Sequence, residues 1–202
     1  MIKAVIFDMG GVILRTEDPS SRLAQAESLG ISRQQLERAV FNSASALQAT
    51  LGIISEKEHW NEVFKILPVP IGEQADFISA FWEGDRMDRE LLSFIDGLRP
   101  TLRTGLLSNA WSEARNSVSA RFGGLDVFDV TVFSAEVGLA KPDPAIYKRI
   151  LQQLEAEASE AVFVDDYLPN VEAAAALGMG AVRFLNTRQA KADVRAILNH
   201  TR

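Results

Sequence analysis

A chain of 202 residues is long for one hydrophobic core and short for two independent ones, so one domain carrying an insertion is expected. Its hydrophobic fraction of 47% and charged fraction of 24% are ordinary for a soluble globular protein. A net charge of −6 with a pI near 5.0 excludes the basic footprint of a nucleic-acid binder. The absence of cysteine rules out a disulfide framework and a thiolate metal site. No apolar run approaches the roughly 20 residues of a membrane span. Met1-Ile2-Lys3 runs too soon into Asp8 for a secretory signal, so a soluble, cytoplasmic protein is expected.

Along the chain, Ala4-Val5-Ile6-Phe7 is an apolar run broken by Asp8 and then by Gly10-Gly11. It predicts a buried parallel strand over 4–7 emptying into a tight loop. Asp8 then sits at the carboxyl end of a strand, where open α/β sheets put their ligands. Residues 16–84 show no convincing strand. Ser32-Arg33-Gln34-Gln35 and Ser55-Glu56-Lys57-Glu58 both fit the capping box, each marking a helix start. After the second box, Trp60, Val63, Phe64 and Leu67 recur at helical spacing and define one apolar face. Pro68 and Pro70 interrupt that helix, and another resumes over 72–82. From about residue 100, strands over 104–107, 130–133, 161–164 and 181–184 alternate with helices over 112–122, 144–154, 169–177 and 187–199. Asp143 is the expected N-cap of the second of these helices, with Pro144 at its first position, and Gly178 should stop the third. Such alternation implies an α/β fold, a Rossmann-like parallel sheet flanked by helices, with an inserted all-helical segment. The expected domains are a core of 1–15 and 85–202 and a helical cap of 16–84.

Four places along this pattern carry chemistry: Asp8, Ser108-Asn109, Lys141 within Gly138-Leu139-Ala140-Lys141-Pro142-Asp143-Pro144, and Asp165-Asp166 with Asn170. Singly, each has a plain structural reading as a loop former, a helix cap or a solvated charge. Two adjacent carboxylates at a strand end also suit a hard, oxygen-coordinated cation such as Mg²⁺. A hydroxyl, an amide and backbone N–H groups where a strand meets a helix suit phosphate oxygens.

As an ordered set, these residues resemble the four signature motifs of the haloacid dehalogenase (HAD) superfamily, whose members mostly transfer phosphoryl groups through an aspartyl intermediate. Asp8-Met9-Gly10-Gly11-Val12 resembles its branch of small sugar-phosphate phosphatases and epoxide-hydrolase-associated phosphatase domains. The resemblance implies Asp8 as nucleophile and Lys141 as the lysine bridging nucleophile and phosphoryl oxygen. It places Ser108 and Asn109, with Lys141, on the phosphate, and Asn170 as a supporting residue. It implies a Mg²⁺ cofactor at Asp8, the Gly10 carbonyl, Asp166 and Asp165, with Asp166 favoured over Asp165 as the direct ligand and Asp165 supporting. The helical insert matches the cap of many members, and the partner implied is a small-molecule phosphate ester, with no nucleic acid and no membrane.

Gly10 breaks the pattern. Family phosphatases carry there a second Asp that protonates the leaving alkoxide and later activates water, help worth about 10²–10⁴ in rate. Three readings follow: a phosphatase whose proton comes from a cap residue or the substrate, a phosphate- and Mg²⁺-binding protein without turnover, and a 2-haloacid dehalogenase, whose halide leaves unprotonated. Asp165-Asp166 speak against the last, because that branch generally lacks the acidic pair, and phosphatase leads. Glu58, His59, Glu83 and Asp85 are weighed as proton donors and read as surface residues. Trp60 and Trp82 are read as cap core, Trp111 as the aromatic facing the site, and His200 as exposed. Lys141 is expected to matter for anion binding rather than for stability.

Overall fold

The structure, a computed structural model, describes residues 1–200. Strand β1 (Ala4–Phe7) is buried along its whole length, which is why all four of its residues are apolar. The chain then makes a tight loop into β2 (Leu14–Thr16) and leaves the sheet for five helices, α1 (Ser20–Ser28), α2 (Arg33–Phe41), α3 (Ala44–Thr50), α4 (Glu56–Ile66) and α5 (Gln74–Phe81). It returns through β3 (Asp85–Met87) and α6 (Arg89–Asp96) to alternating strands and helices: β4 (Arg103–Ser108), α7 (Ala114–Arg121), β5 (Val130–Phe133), α8 (Ser134–Val137), α9 (Pro144–Gln153), β6 (Ala161–Asp165), α10 (Leu168–Ala176), β7 (Gly180–Arg183) and α11 (Thr187–His200). Five strands form one parallel sheet in the order β5-β4-β1-β6-β7, the α/β class expected from the alternation.

The pleat divides the sheet's side chains between two cores. Val5 and Phe7 point to the face covered by α6, α7 and α11, where Leu91, Ile95, Val118, Ala190 and Val194 pack. Ala4 and Ile6 point to the face covered by α9 and α10, where Ile146, Tyr147, Ile150 and Ala174 pack. Because β1 is central and the chain crosses to opposite sides of it, the crevice at its carboxyl end is a topological switch point. Phe7 lies opposite both Leu106 and Val164, so Asp8, Ser108 and Asp165 emerge at nearly the same level of the sheet.

The inserted helices gather around a third core that includes Leu36, Val40, Trp60, Val63, Phe77 and Phe81. Both capping boxes form: Ser32 Oγ accepts from Gln35 N while Gln35 Oε1 accepts from Ser32 N, and Ser55 and Glu58 repeat the exchange. The α4 helix ends at Ile66 because Leu67, ahead of Pro68, takes an extended ψ of 114°. Asp143 caps α9 through Ala145 N, and Gly178, with φ +90°, closes the turn after α10. The antiparallel ribbon β2–β3 escaped the sequence reading because Leu14-Arg15-Thr16 and Asp85-Arg86-Met87 are too short to show a period. So did α6, α8 and the two short helices α1 and α3. Among the described residues no helix is long and apolar enough to cross a membrane.

Where this ribbon meets the inserted helices, Arg22 of α1 is buried and donates to Asp85 Oδ1 at 2.9 Å and to the Phe81 carbonyl at 2.9 Å. Its guanidinium lies 4.3 Å from the Phe81 ring centroid, and Thr16 Oγ1 donates to the same Asp85 oxygen at 2.6 Å. Asp85 is therefore a buried ion-pair partner, not the surface residue its sequence context suggests. Removing one member of a buried pair leaves the other charge uncompensated, at a cost of about 3 kcal/mol. Arg22→Ala is expected to lower urea-derived stability by about that much, and Arg22→Met with Asp85→Asn to lower it less; equal losses would mean that the pair's charges do not matter.

Candidate active site

Asp8 is held at the sheet's edge by its own backbone, whose N–H donates to the Val164 carbonyl at 2.9 Å. The loop behind it folds back on the Met9 carbonyl, which accepts from Ile13 N at 2.9 Å and Leu14 N at 2.8 Å. Gly11 has φ +80°, and a Cβ there would overlap the Asp166 carboxylate. Only glycine satisfies both constraints. The sequence reading took Gly11 simply as part of a turn; its contact partner lies 155 residues away and leaves no local signal.

Lys141 is the centre of the arrangement. Its Nζ lies 2.7 Å from Asp8 Oδ1 and 2.7 Å from Asp165 Oδ2, with the side chain almost wholly buried. Asn109 fixes the lysine's backbone at both polar atoms: Asn109 Oδ1 accepts from Lys141 N at 2.8 Å, and Nδ2 donates to Lys141 O at 2.9 Å. Asn109 thereby positions Lys141, and it also lines the cavity, with the second N–H of its amide outside this contact. Ser108 sits beside it, nearly inaccessible yet lining the cavity. Ser134, which the sequence reading passed over, ties down the next residue, its Oγ accepting from Ala110 N at 2.9 Å and donating to Ala110 O at 3.1 Å.

Asp165 has no exposure, and both of its oxygens are engaged: Oδ2 by Lys141 and by Asn170 Nδ2 at 3.0 Å, Oδ1 by Tyr167 N at 2.8 Å. Asn170 is fixed in turn, its carbonyl accepting from Tyr147 Oη at 2.9 Å. Asp166, by contrast, is exposed and lines the cavity. Carboxylate oxygens of Asp8, Asp165 and Asp166 all lie within 4.8 Å of one another. Three carboxylates around one ammonium leave an excess of negative charge. Burial pushes the Asp8 carboxyl up to about 7, with the neighbouring Asp165 charge adding to the rise and the Lys141 ammonium opposing it. Asp166 is also pushed up, by the partial desolvation of its carboxyl between neighbouring groups and then by the Asp165 charge.

The sequence profile of the haloacid dehalogenase-like hydrolases matches residues 2–178. The chain belongs to that family. A drimenol cyclase from Aspergillus calidoustus is 27% identical over 188 residues, which are 91% of this chain but 34% of that protein, so the chain spans about a third of this relative's length. A sesquiterpene phosphatase from Aspergillus oryzae is 28% identical over 178 residues, 88% of this chain and 87% of that protein. In fold, the hydrolase resembles a HAD family enzyme from Bacteroides thetaiotaomicron, crystallised with magnesium and inorganic phosphate, with a TM-score of 0.76 at 23% identity over 91% of this chain and 94% of the other.

The hydrolase's inserted helices roof the sheet edge and enclose with it a cavity of about 1290 Å³. Trp111 and Trp82 line it, whereas Trp60 packs in the helical core. His59 is not a surface residue: it is fully buried, with Nδ1 2.9 Å from Ser45 Oγ and its ring 4.3 Å from that of Trp111. Burial pushes its imidazole below the ordinary value. Glu58 and Glu83 are exposed, Glu58 serving its capping box. Glu56, which the sequence reading did not single out as a donor, lines the cavity, and burial pushes its carboxyl up. His200 is exposed.

The geometry changes what is expected of Lys141. An ammonium between two buried carboxylates is structural as well as chemical, and its removal should cost about 3 kcal/mol. Lys141→Ala is therefore expected to fall in stability by that order at pH 8 without divalent metal, measured by urea unfolding. An unchanged midpoint would show that the site relaxes around the missing charge.

Proposed function

We propose that this hydrolase is a Mg²⁺-dependent phosphatase that cleaves a small phosphate monoester through an aspartyl-phosphate on Asp8. The observation that carries the reading is a carboxylate held at a switch-point crevice against a buried ammonium, with a hydroxyl at its side and two further carboxylates behind it. Attack by an anion on an anionic phosphate is limited by charge and position, and both are supplied here. The phosphatase from Aspergillus oryzae and the magnesium and phosphate in the structural neighbour support the same reading.

The donor set fits the metal. Three clustered carboxylates with one compensating ammonium repel one another unless a cation joins them, and an all-oxygen set suits a hard ion. Asp8, the Gly10 carbonyl and Asp166 would hold it. Asp165, whose oxygens are taken by Lys141, Asn170 and Tyr167, would orient Lys141 instead. When bound, the ion would neutralise charge on the phosphoryl oxygens.

In the proposed reaction an Asp8 carboxylate oxygen bonds to phosphorus as the ester P–O bond breaks, and the leaving oxygen takes a proton from solvent. Water then attacks the phosphorus of the aspartyl-phosphate, releasing inorganic phosphate and restoring Asp8. Lys141 steadies the ionised Asp8 and a phosphoryl oxygen, and Ser108 Oγ donates to another. Asn109 keeps Lys141 in place through its backbone.

No side chain at position 10 assists the leaving group, but nothing forbids one. A Cβ built on Gly10 meets no atom within 4 Å, and its φ is not in the left-handed region. Gly10→Asp is expected to fold and to raise kcat/KM on alkyl phosphates at least tenfold, a part of the roughly 10²–10⁴ that acid–base help contributes. Aryl phosphates, whose leaving groups need no proton, should gain little. The assay is phosphate release with and without Mg²⁺, beside Asp8→Asn and Asp166→Ala, which should be inactive and metal-insensitive respectively. A folded Gly10→Asp without gain on any alkyl phosphate would refute the assigned place of residue 10, and Mg²⁺-independent turnover would refute the metal.

A further inference from the structure

The cavity over Asp8 is larger and more apolar than a phosphate group with a small polyol requires. At about 1290 Å³ it exceeds the roughly 300–1,000 Å³ of most small-molecule sites. Its roof is an aromatic cluster: Phe41 lies 6.0 Å from Trp111 in a stacked arrangement and 5.7 Å from Trp82 edge-on, and the two indoles are 6.1 Å apart. Leu14, Leu47 and Ile78 continue that apolar wall. Phe41 and Leu47 keep 41% and 62% of their surface exposed, and both line the cavity. They therefore present apolar surface towards it that the protein leaves uncovered.

The charged groups of the lining do not offset this, because most already have partners. Arg22 is paired with Asp85, Arg15 with Asp88 at 2.8 Å, and Lys141 with Asp8 and Asp165. Asn42, Ser43, Thr50, Ser117, Glu56 and Arg121 put polar groups elsewhere in the lining, but against the aromatic roof itself a polyol or sugar chain would lose water from its hydroxyls without regaining partners. An apolar chain would lose nothing and would cover Phe41 and Leu47.

We infer that the substrate is a phosphate monoester with a large apolar leaving group, its phosphate at Asp8 and its hydrocarbon body against Phe41, Trp82 and Trp111. This rests on the phosphatase reading, whose phosphate site supplies the polar end. The aromatic roof and Leu47 are the specificity-determining surface, and Asp8, Lys141 and Ser108 are indifferent to what the phosphate carries.

The test uses phosphonates, which bind without being cleaved, on the Mg²⁺-loaded full chain. Calorimetry, with the fluorescence of Trp82 and Trp111 as a second readout, compares inorganic phosphate, methyl-, butyl-, hexyl- and 2,3-dihydroxypropylphosphonate. A fully buried methylene contributes up to about fourfold in affinity, so hexylphosphonate should bind at least about 30-fold more tightly than methylphosphonate. Butylphosphonate should also exceed its dihydroxypropyl counterpart. Phe41→Ala and Leu47→Asn should each reduce the hexyl-to-methyl ratio several-fold. A flat series, or a preference for the dihydroxypropyl compound, overturns the apolar substrate while leaving the phosphatase reading standing. Failure of every phosphonate and of inorganic phosphate to bind overturns that reading, and the substrate class with it. An unchanged ratio in both variants would show that the roof does not hold the chain.

Discussion

The ammonium of Lys141, shared between Asp8 and Asp165 at the carboxyl ends of two adjacent strands, is the interaction around which the site is organised. A charge buried that deeply requires partners, and four separate segments meet here: the loop ahead of α9 carries Lys141, Asp8 after β1 and Asp165 at the end of β6 flank its ammonium, and Asn109 after β4 holds its backbone. Each segment is fixed again behind the first contact. Ser134 secures the residue after Asn109, Asn170 and Tyr167 N–H secure Asp165, and Tyr147 secures the Asn170 backbone. The consequence is a carboxylate whose position is determined by the sheet and whose charge is determined by its neighbours. Burial and the second carboxylate oppose ionisation of Asp8, and the lysine favours it. A divalent cation would shift that balance further towards the ionised carboxylate.

The same logic separates the two adjacent acids. Asp165 ends β6 and Asp166 begins the bend after it, so two carboxylates within 4.8 Å of each other have different surroundings. One is sealed into the lysine network, and the other faces the cavity across the bare backbone of Gly11. Two glycines in succession thus do different things. Gly11 gives way to Asp166, whereas Gly10 opens space where an acid would fit. The inserted helices are anchored next to this loop by Arg22, Asp85 and Thr16, so the roof and the sheet edge that carries Asp8 share one foundation in the β2–β3 ribbon.

Much of this was legible in the sequence, for identifiable reasons. The parallel sheet showed because fully buried strands read as unbroken apolar runs, and the helix starts showed because Ser32 and Ser55 carry complete capping boxes. Asp8, Lys141 and the acid pair stood out because, in their order along the chain, they resemble the family's motifs as a set. What did not show were relations without local pattern. Asn109 holding the backbone of Lys141, Gly11 yielding to Asp166, and Ser134 bracing Ala110 all join residues distant along the chain. His59 and Asp85 read as surface residues because their neighbours are charged, yet helix packing turns the first inward and an arginine from α1 buries the second.

The central claim is covalent: phosphate passes through Asp8. The most direct measurement is peptide mass spectrometry after rapid acid quench of the Mg²⁺-loaded protein turning over a phosphate monoester. The account predicts one added phosphoryl group on the peptide containing Asp8, lost on alkaline treatment and absent from Asp8→Asn. Turnover with no phosphorylated peptide at any quench time, or with the phosphoryl group on another residue, would contradict it.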